Sequence, residues 1–258
     1  MARTTPQASP APAPGTADDA NVALFGSLAA DWWDPDGQSR LLHRINPVRL
    51  GFIRSALVAH FGREQRARYA LAGLVALDVG CGAGLVTEPL ARMGAAVEGL
   101  DAGADVIAVA RAHAAQQGLD IAYHAAEVTE FASANADRFD FITCLEVVEH
   151  VADVGAFLAA LARMLKPGGL LIFSTPNRTP ASWAVLIAGA ERIARLIPVG
   201  GHDWNRFLTP DEFTGHAARA GLRVDTLKGL SWSPLRGFHL SADLSVNYIG
   251  TAVRATSG

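Results

Sequence analysis

The segment Leu77-Asp78-Val79-Gly80-Cys81-Gly82-Ala83-Gly84 constrains this chain more than any other. Leu74 to Val79 reads as a buried strand, and a helical pattern follows the glycines to about Met93. Glycines at alternate positions let the backbone turn sharply out of the strand and let a ligand approach it closely. A second apolar run, Ala96 to Leu100, ends at Asp101. A carboxylate there can accept hydrogen bonds from both hydroxyls of a ribose. Glycines alone also close ordinary turns. Set between a strand and a helix, with an acid closing the next strand, they predict a nucleoside cofactor on Gly80, Gly82 and Asp101.

The spacing narrows the choice of cofactor. A dinucleotide site wants G-x-G-x-x-G, with the pyrophosphate on a helix N-terminus. Here the pattern is G-x-G-x-G, and Asp78 precedes the first glycine by two positions. A carboxylate there repels a pyrophosphate and suits a cofactor bearing an ammonium group and a sulfonium. S-adenosylmethionine is favoured over a nicotinamide dinucleotide. Asp78 can equally order the loop from the strand end, and the two roles are compatible.

Further strands are expected at Ile121 to His124, Phe139 to Cys144 and Leu170 to Ser174, with helices over Ala104 to Gln117 and Val154 to Leu165. Such alternation means a parallel sheet with helices on both faces. Thr209, Pro210 and Glu212 form a capping-box start for a later helix, and final strands fall near Leu222 to Leu227 and Val246 to Val253. Asn46-Pro47 predicts the start of an N-terminal helix running to about His60. Residues 1–20 read as a disordered tail without the apolar core of a signal peptide, residues 21–70 as a helical cap, and residues 71–258 as the cofactor-binding domain. With a net charge of -3, nucleic acid is not the expected partner. Cys81 and Cys144 lack metal-ligand spacing and read as reduced thiols in a reducing, cytoplasmic compartment.

Glu146, Glu149 and His150 follow the fourth strand, at the edge where such sheets bind ligands. If the stretch turns helically, their offsets place all three on one face, a donor set suited to a divalent cation. The alternative is that both glutamates favour a helix start and His150 is packed. The connection over about 175–208 is long for a compact α/β domain and reads as a lid. Within it, residues 182–197 give an apolar stripe on Trp183, Leu186, Ile187, Ala190, Ile193, Ala194 and Ile197, with Glu191, Arg192 and Arg195 off the stripe. This is either a helix packed on the domain or an interfacial helix on anionic lipid, too short to span.

Around these residues the sequence resembles the ubiquinone-biosynthesis O-methyltransferases, a family of class I S-adenosylmethionine-dependent methyltransferases. The likeness lies in Trp32-Trp33-Asp34, Leu42 to Leu50 (LHRINPVRL), Glu146 to Val151 (EVVEHV), Ser174 to Arg178 (STPNR), Gly201 to Trp204 (GHDW) and Val246 to Tyr248 (VNY). It covers roughly Asn21 to Val253. It implies a seven-stranded, mostly parallel, Rossmann-like methyltransferase sheet with helices on both faces, an N-terminal helical segment and a helical lid after the fifth strand. It also implies cofactor contacts on Arg49, Gly80, Asp101 and Leu145, and a magnesium-type ion on Glu146, Glu149 and His150. The implied substrate is a polyprenylated phenol or catechol. The implied setting is the inner face of the cytoplasmic membrane, with anionic lipids and a ubiquinone-biosynthesis protein complex as partners. A phenol with a pKa near ~10 needs its proton removed or offset, by a base or a metal ion, before it attacks a sulfonium methyl. The competing readings are an S-adenosylmethionine-dependent O-methyltransferase of another small hydrophobic phenol, a nicotinamide oxidoreductase and a catalytically silent binding module.

Overall fold

The computed structural model describes residues 16, 32–37, 39–187 and 203–256. In chain order the elements are α1 (Arg40–His60), β1 (Val75–Val79), α2 (Thr87–Arg92), β2 (Ala96–Asp101), α3 (Ala104–Gln116), β3 (Ala122–Ala125), α4 (Val128–Ala134) and β4 (Phe139–Leu145). There follow α5 (Val154–Met164), β5 (Leu165–Pro176), α6 (Pro210–Arg219), β6 (Leu222–Ser233), β7 (Gly237–Ser241) and β8 (Asn247–Arg254). The strands form one sheet in the order β3-β2-β1-β4-β5-β8-β6-β7.

Among the described residues the sheet has eight strands, not the expected seven, and is mixed. β1 to β5 pair in parallel, while β8 is antiparallel to both β5 and β6, and β7 is antiparallel to β6. The additional strand, β7, comes from a hairpin. β6 continues past Leu227 to Ser233, the chain turns through Pro234 to Arg236, and Gly237 takes a φ of 62°. Phe238 and Leu240, alternating with His239, then pack towards the core that contains Leu57 and Leu230.

Period-two alternation assigns each strand's side chains to two cores. Ala76, Phe141, Ile172 and Ile249 face Ile53 and Leu57 of α1. Leu77, Ile142, Leu171 and Tyr248 face Phe157 and Leu161 of α5 and Phe213 and Ala217 of α6. Helices therefore cover both faces, as the parallel pattern requires.

α1 begins at Arg40 and not at Asn46, so Pro47 lies inside the helix. The N–H groups of Leu42 and His43 bond the Ser39 carbonyl and start the first turn. Proline costs one backbone bond further along. Burial of Ile45 and Arg49 on either side of it holds the helix through that position.

Thr16, inside the segment expected as a disordered tail, is buried. Its N–H donates to Glu127 Oε1 at 2.9 Å, and its carbonyl accepts from Ala152 N. Glu127 also caps α4 through the N–H groups of Thr129 and Glu130. Burial works against its charge, but the donors from Thr129 and Thr16 outweigh that and hold its carboxyl at about 2.

After β5, Thr179 caps the short turn Pro180–Ser182 with both halves of a capping box, and the chain continues as a wider, π-type turn over 183–187. Trp204 Nε1 donates to the Thr179 carbonyl at 3.0 Å and closes the base of this connection. The expected lid helix lies outside the described residues from position 188 to 202. Among the described residues no helix is long and apolar enough to cross a membrane.

Candidate active site

The glycine loop leaves β1 with Gly80, Gly82 and Gly84 at φ of 67°, 52° and 93°. These are left-handed conformations that side chains resist. Each glycine also meets a neighbour. A Cβ at Gly80 would lie 2.3 Å from Val147 Cγ2, and one at Gly84 2.4 Å from the Tyr123 hydroxyl. Asp101, at the end of β2, accepts from Gly82 N at 2.9 Å through one oxygen and from Gly103 N at 2.8 Å through the other. These bonds aim the carboxylate across the loop and leave each oxygen a further lone pair for a ribose hydroxyl. Burial raises its pKa, the two backbone donors opposing.

Asp78 is turned into the protein. Its oxygens accept from Thr87 Oγ1 at 2.6 Å and Thr143 Oγ1 at 2.7 Å, tying β1 to α2 and β4. This is the loop-ordering role. Burial pushes its carboxyl up to about 6, with the hydroxyls holding it down.

Across the loop, β4 ends at Leu145, which is half-buried against the core containing Phe141 and Leu230. Glu146 then takes a φ of 55°, and Val148–His150 form one tight 3-10 turn. The left-handed step at Glu146 breaks the helical path, so the expected face carrying Glu146, Glu149 and His150 is not formed. Glu146 instead meets Arg49 of α1 at 2.9 Å, Ser174 Oγ of β5 at 2.6 Å and Asn247 Nδ2 of β8 at 2.8 Å. Glu149 is buried and accepts from Thr175 Oγ1 at 3.0 Å, with its other oxygen 3.9 Å from His150 Nε2. Burial, and then the neighbouring Glu146 carboxylate, hold Glu149 well above the usual carboxylate range. Among the described residues no three His, Cys, Asp or Glu side chains are grouped as a metal site.

Four segments far apart in sequence thus converge on one point: Arg49, the Glu146–His150 turn, Ser174 with Thr175, and Asn247. Ser174, Thr175 and Asn247 were not singled out as functional residues. The signal was present, since they lie in the STPNR and VNY runs, but spacing alone assigns them no role. Three residues of this convergence carry a buried polar atom with no hydrogen-bond partner among the described residues: Arg49 Nε, Glu149 Oε1 and Asn247 Oδ1. Unsatisfied buried polar groups are rare in folded proteins, and a cluster of them marks a place for a polar ligand. The carboxyl edge therefore carries the glycine loop with Asp101 on one side and the buried Glu149 carboxyl on the other.

Comparison with known proteins agrees with this architecture. A family model described as a methyltransferase domain matches residues 53–227. A magnesium protoporphyrin IX methyltransferase from Synechocystis PCC 6803, solved with bound S-adenosylhomocysteine, has the same fold. It superposes with a TM-score of 0.64 at 22% identity, over 92% of this chain and 100% of its own. Much nearer in sequence are ubiquinone biosynthesis O-methyltransferases. That of Azorhizobium caulinodans is 48% identical over 90% of this chain and 92% of its own length, and that of Cereibacter sphaeroides (strain KD131) is 47% identical over 93% and 98%. This chain belongs to the ubiquinone biosynthesis O-methyltransferases and is an S-adenosylmethionine-dependent O-methyltransferase.

Proposed function

We propose that the chain methylates a phenolic oxygen of a polyprenylated phenol or catechol at this carboxyl-edge site. The convergence of Arg49, Glu146, Glu149, Ser174, Thr175 and Asn247 on a cluster of unpartnered polar atoms carries the reading. The cofactor lies on the glycine loop, its ribose on Asp101, its adenine beside Leu145, and Gly80 and Gly82 allowing its close approach. Arg49 is the cation available to the methionine carboxylate. Its Nε is unpartnered, and the Glu146 pair fixes its direction.

In the reaction the phenol oxygen forms a bond to the methyl carbon as the bond from that carbon to sulfur breaks. S-adenosylhomocysteine leaves as a neutral thioether. The phenolic proton goes to the ionised form of Glu149, whose pKa burial and then the Glu146 carboxylate raise, so that it holds the proton more strongly than an ordinary carboxylate. Thr175 holds one Glu149 oxygen and leaves the other open. A magnesium ion is part of the proposal. With the ion bound, Glu146, Glu149 and His150 would hold it, Glu149 would be ionised, Glu146 would release Arg49 to the methionine carboxylate, and the ion would offset the phenolic proton in place of Glu149; the unpartnered Glu149 oxygen supports this arrangement. Such an ion would supply charge that lowers the phenol pKa.

The substrate's polyprenyl chain calls for a membrane interface, and exposed apolar residues support peripheral docking there. Trp183 and Val185 are exposed on the connection after β5, and Trp232 and Leu235 on the β6–β7 hairpin. β6 runs in the same direction as β5, and its Gly229 pairs with Tyr248, which in turn pairs with Thr175. Residues 230–233 therefore extend beyond the carboxyl edge, on the side of the site. An anionic cytoplasmic leaflet, and other proteins of the same biosynthetic sequence, are the partners this placement suits.

The test is steady-state methyl transfer from labelled S-adenosylmethionine to a short-chain prenylated catechol. The expected result is that EDTA lowers the rate and magnesium restores it, and that Glu149→Gln loses activity but keeps S-adenosylhomocysteine affinity. Full activity of exhaustively chelated enzyme would remove the metal from the account. Full activity of Glu149→Gln would remove Glu149 as the proton acceptor.

A further inference from the structure

We infer that Trp32 is a cofactor-positioning residue, its indole backing the glycine loop at Gly82 while Trp33 latches it in place. The packing leaves no room for a side chain between the two. A Cβ at Gly82 would lie 2.7 Å from Trp32 Cζ2, 3.2 Å from Cε2 and 3.3 Å from Cη2. The six-membered ring therefore lies directly on the backbone of the residue whose N–H orients Asp101. Trp32 is buried, and its apolar neighbours are Ala83 and Leu85 of the loop and Val106 of α3. On the next residue, Trp33 Nε1 donates to the Ala83 carbonyl at 3.0 Å. Two consecutive tryptophans thus grip two consecutive residues of the loop.

The strap is anchored on three helices. Trp33 stacks flat on His113 of α3, centroids 3.6 Å apart and planes at 11°. His113 Nδ1 lies 2.6 Å from the buried Glu88 of α2. His43 Nε2 bonds the Trp32 carbonyl at 2.9 Å, which joins the strap to α1, the helix that carries Arg49. The strap therefore fixes the position of the loop relative to α1, and with it Asp101 relative to Arg49. Those are the two ends of the cradle between which a cofactor with a ribose and an amino-acid tail must lie. Stacking and edge contacts of this kind fix geometry as well as burying area. Without the indole the loop loses its backing, and the orienting bond from Gly82 to Asp101 loosens. The loss falls on cofactor binding, not on the turn that handles the phenol.

This inference rests on the reading that the cofactor lies on the glycine loop. The experiment compares wild type, Trp32→Ala and Trp32→Phe in the full chain, with Asp101→Ala in parallel. S-adenosylhomocysteine affinity is read by calorimetry, and KM for S-adenosylmethionine and kcat by methyl transfer. Trp32→Ala is expected to weaken affinity and raise KM together by about tenfold or more, with kcat at saturating cofactor within about threefold, and Trp32→Phe to recover most of the affinity. Unchanged affinity in Trp32→Ala, or a fall in kcat at unchanged KM, overturns the inference. If Trp32→Ala fails to fold, tryptophan emission decides: S-adenosylhomocysteine should change the emission of wild type more than that of Trp32→Phe, which keeps Trp33, and an equal change in both overturns it. If Asp101→Ala also binds normally, what has failed is the placement of the cofactor on the loop, not the role of Trp32 alone.

Discussion

Asp78 carries a cost that can be measured as a pH dependence. Buried between Thr87 and Thr143, it has its carboxyl raised from 3.8 to about 6, by burial first, with the Asp101 charge adding and the hydroxyls opposing. In the unfolded chain the ordinary value applies. Below about 3.8 both states hold the proton. Between about 3.8 and about 6 the unfolded chain gives it up while the folded chain keeps it, so stability falls as pH rises through that window. Above it the penalty is constant. At about 1.4 kcal/mol per pH unit, it amounts to roughly 3 kcal/mol, about half of it accruing between pH 5 and 7.5. Asp78→Asn has no such dependence. The amide loses one of the two hydroxyl bonds, a pH-independent cost of about 1 kcal/mol. Urea unfolding of both proteins at pH 5, 6 and 7.5 should show the Asn variant gaining on wild type by ~1.4 kcal/mol across the range. Parallel stabilities over that range would refute the buried-charge reasoning.

Two further predictions concern the cofactor and the membrane. Asp101→Ala should weaken S-adenosylhomocysteine binding by about 1.5–3 kcal/mol in calorimetry, since hydrogen bonds to a charged acceptor are lost; unchanged affinity would mean the ribose is held elsewhere. Wild type should co-sediment with anionic liposomes at low salt, and less so after Trp232→Ser with Leu235→Ser, or after Arg192→Glu with Arg195→Glu. Wild type remaining in the supernatant would contradict docking.

What could be read from the sequence was what is local. The glycine loop, Asp101 as the end of β2, and the Thr209–Glu212 capping box follow from short-range chemistry and stand where expected. What could not be read depends on distant partners. Glu146 turns left-handed because Arg49, Ser174 and Asn247 all hold its side chain, and no spacing between residues 146 and 150 encodes that. The start of α1 was misplaced because Pro47 is a good first-turn residue that buried neighbours retain in mid-helix. β7 was missed because its five residues owe their place to pairing with β6 and packing near α1. Thr16 bonds Glu127 and, through its carbonyl, Ala152, both more than a hundred residues away, partners that no local pattern encodes.

The central claim is methyl transfer to a phenolic oxygen at the edge between the glycine loop and the Glu146–His150 turn. Single-turnover transfer tests it most directly, with enzyme in excess over methyl-labelled S-adenosylmethionine and a short-chain prenylated catechol as acceptor. The account predicts label in the aryl methyl ether with wild type, and its loss with Glu149→Gln under conditions where cofactor remains bound. Label on carbon or nitrogen, or none transferred to the catechol by enzyme that binds S-adenosylhomocysteine tightly, would contradict it.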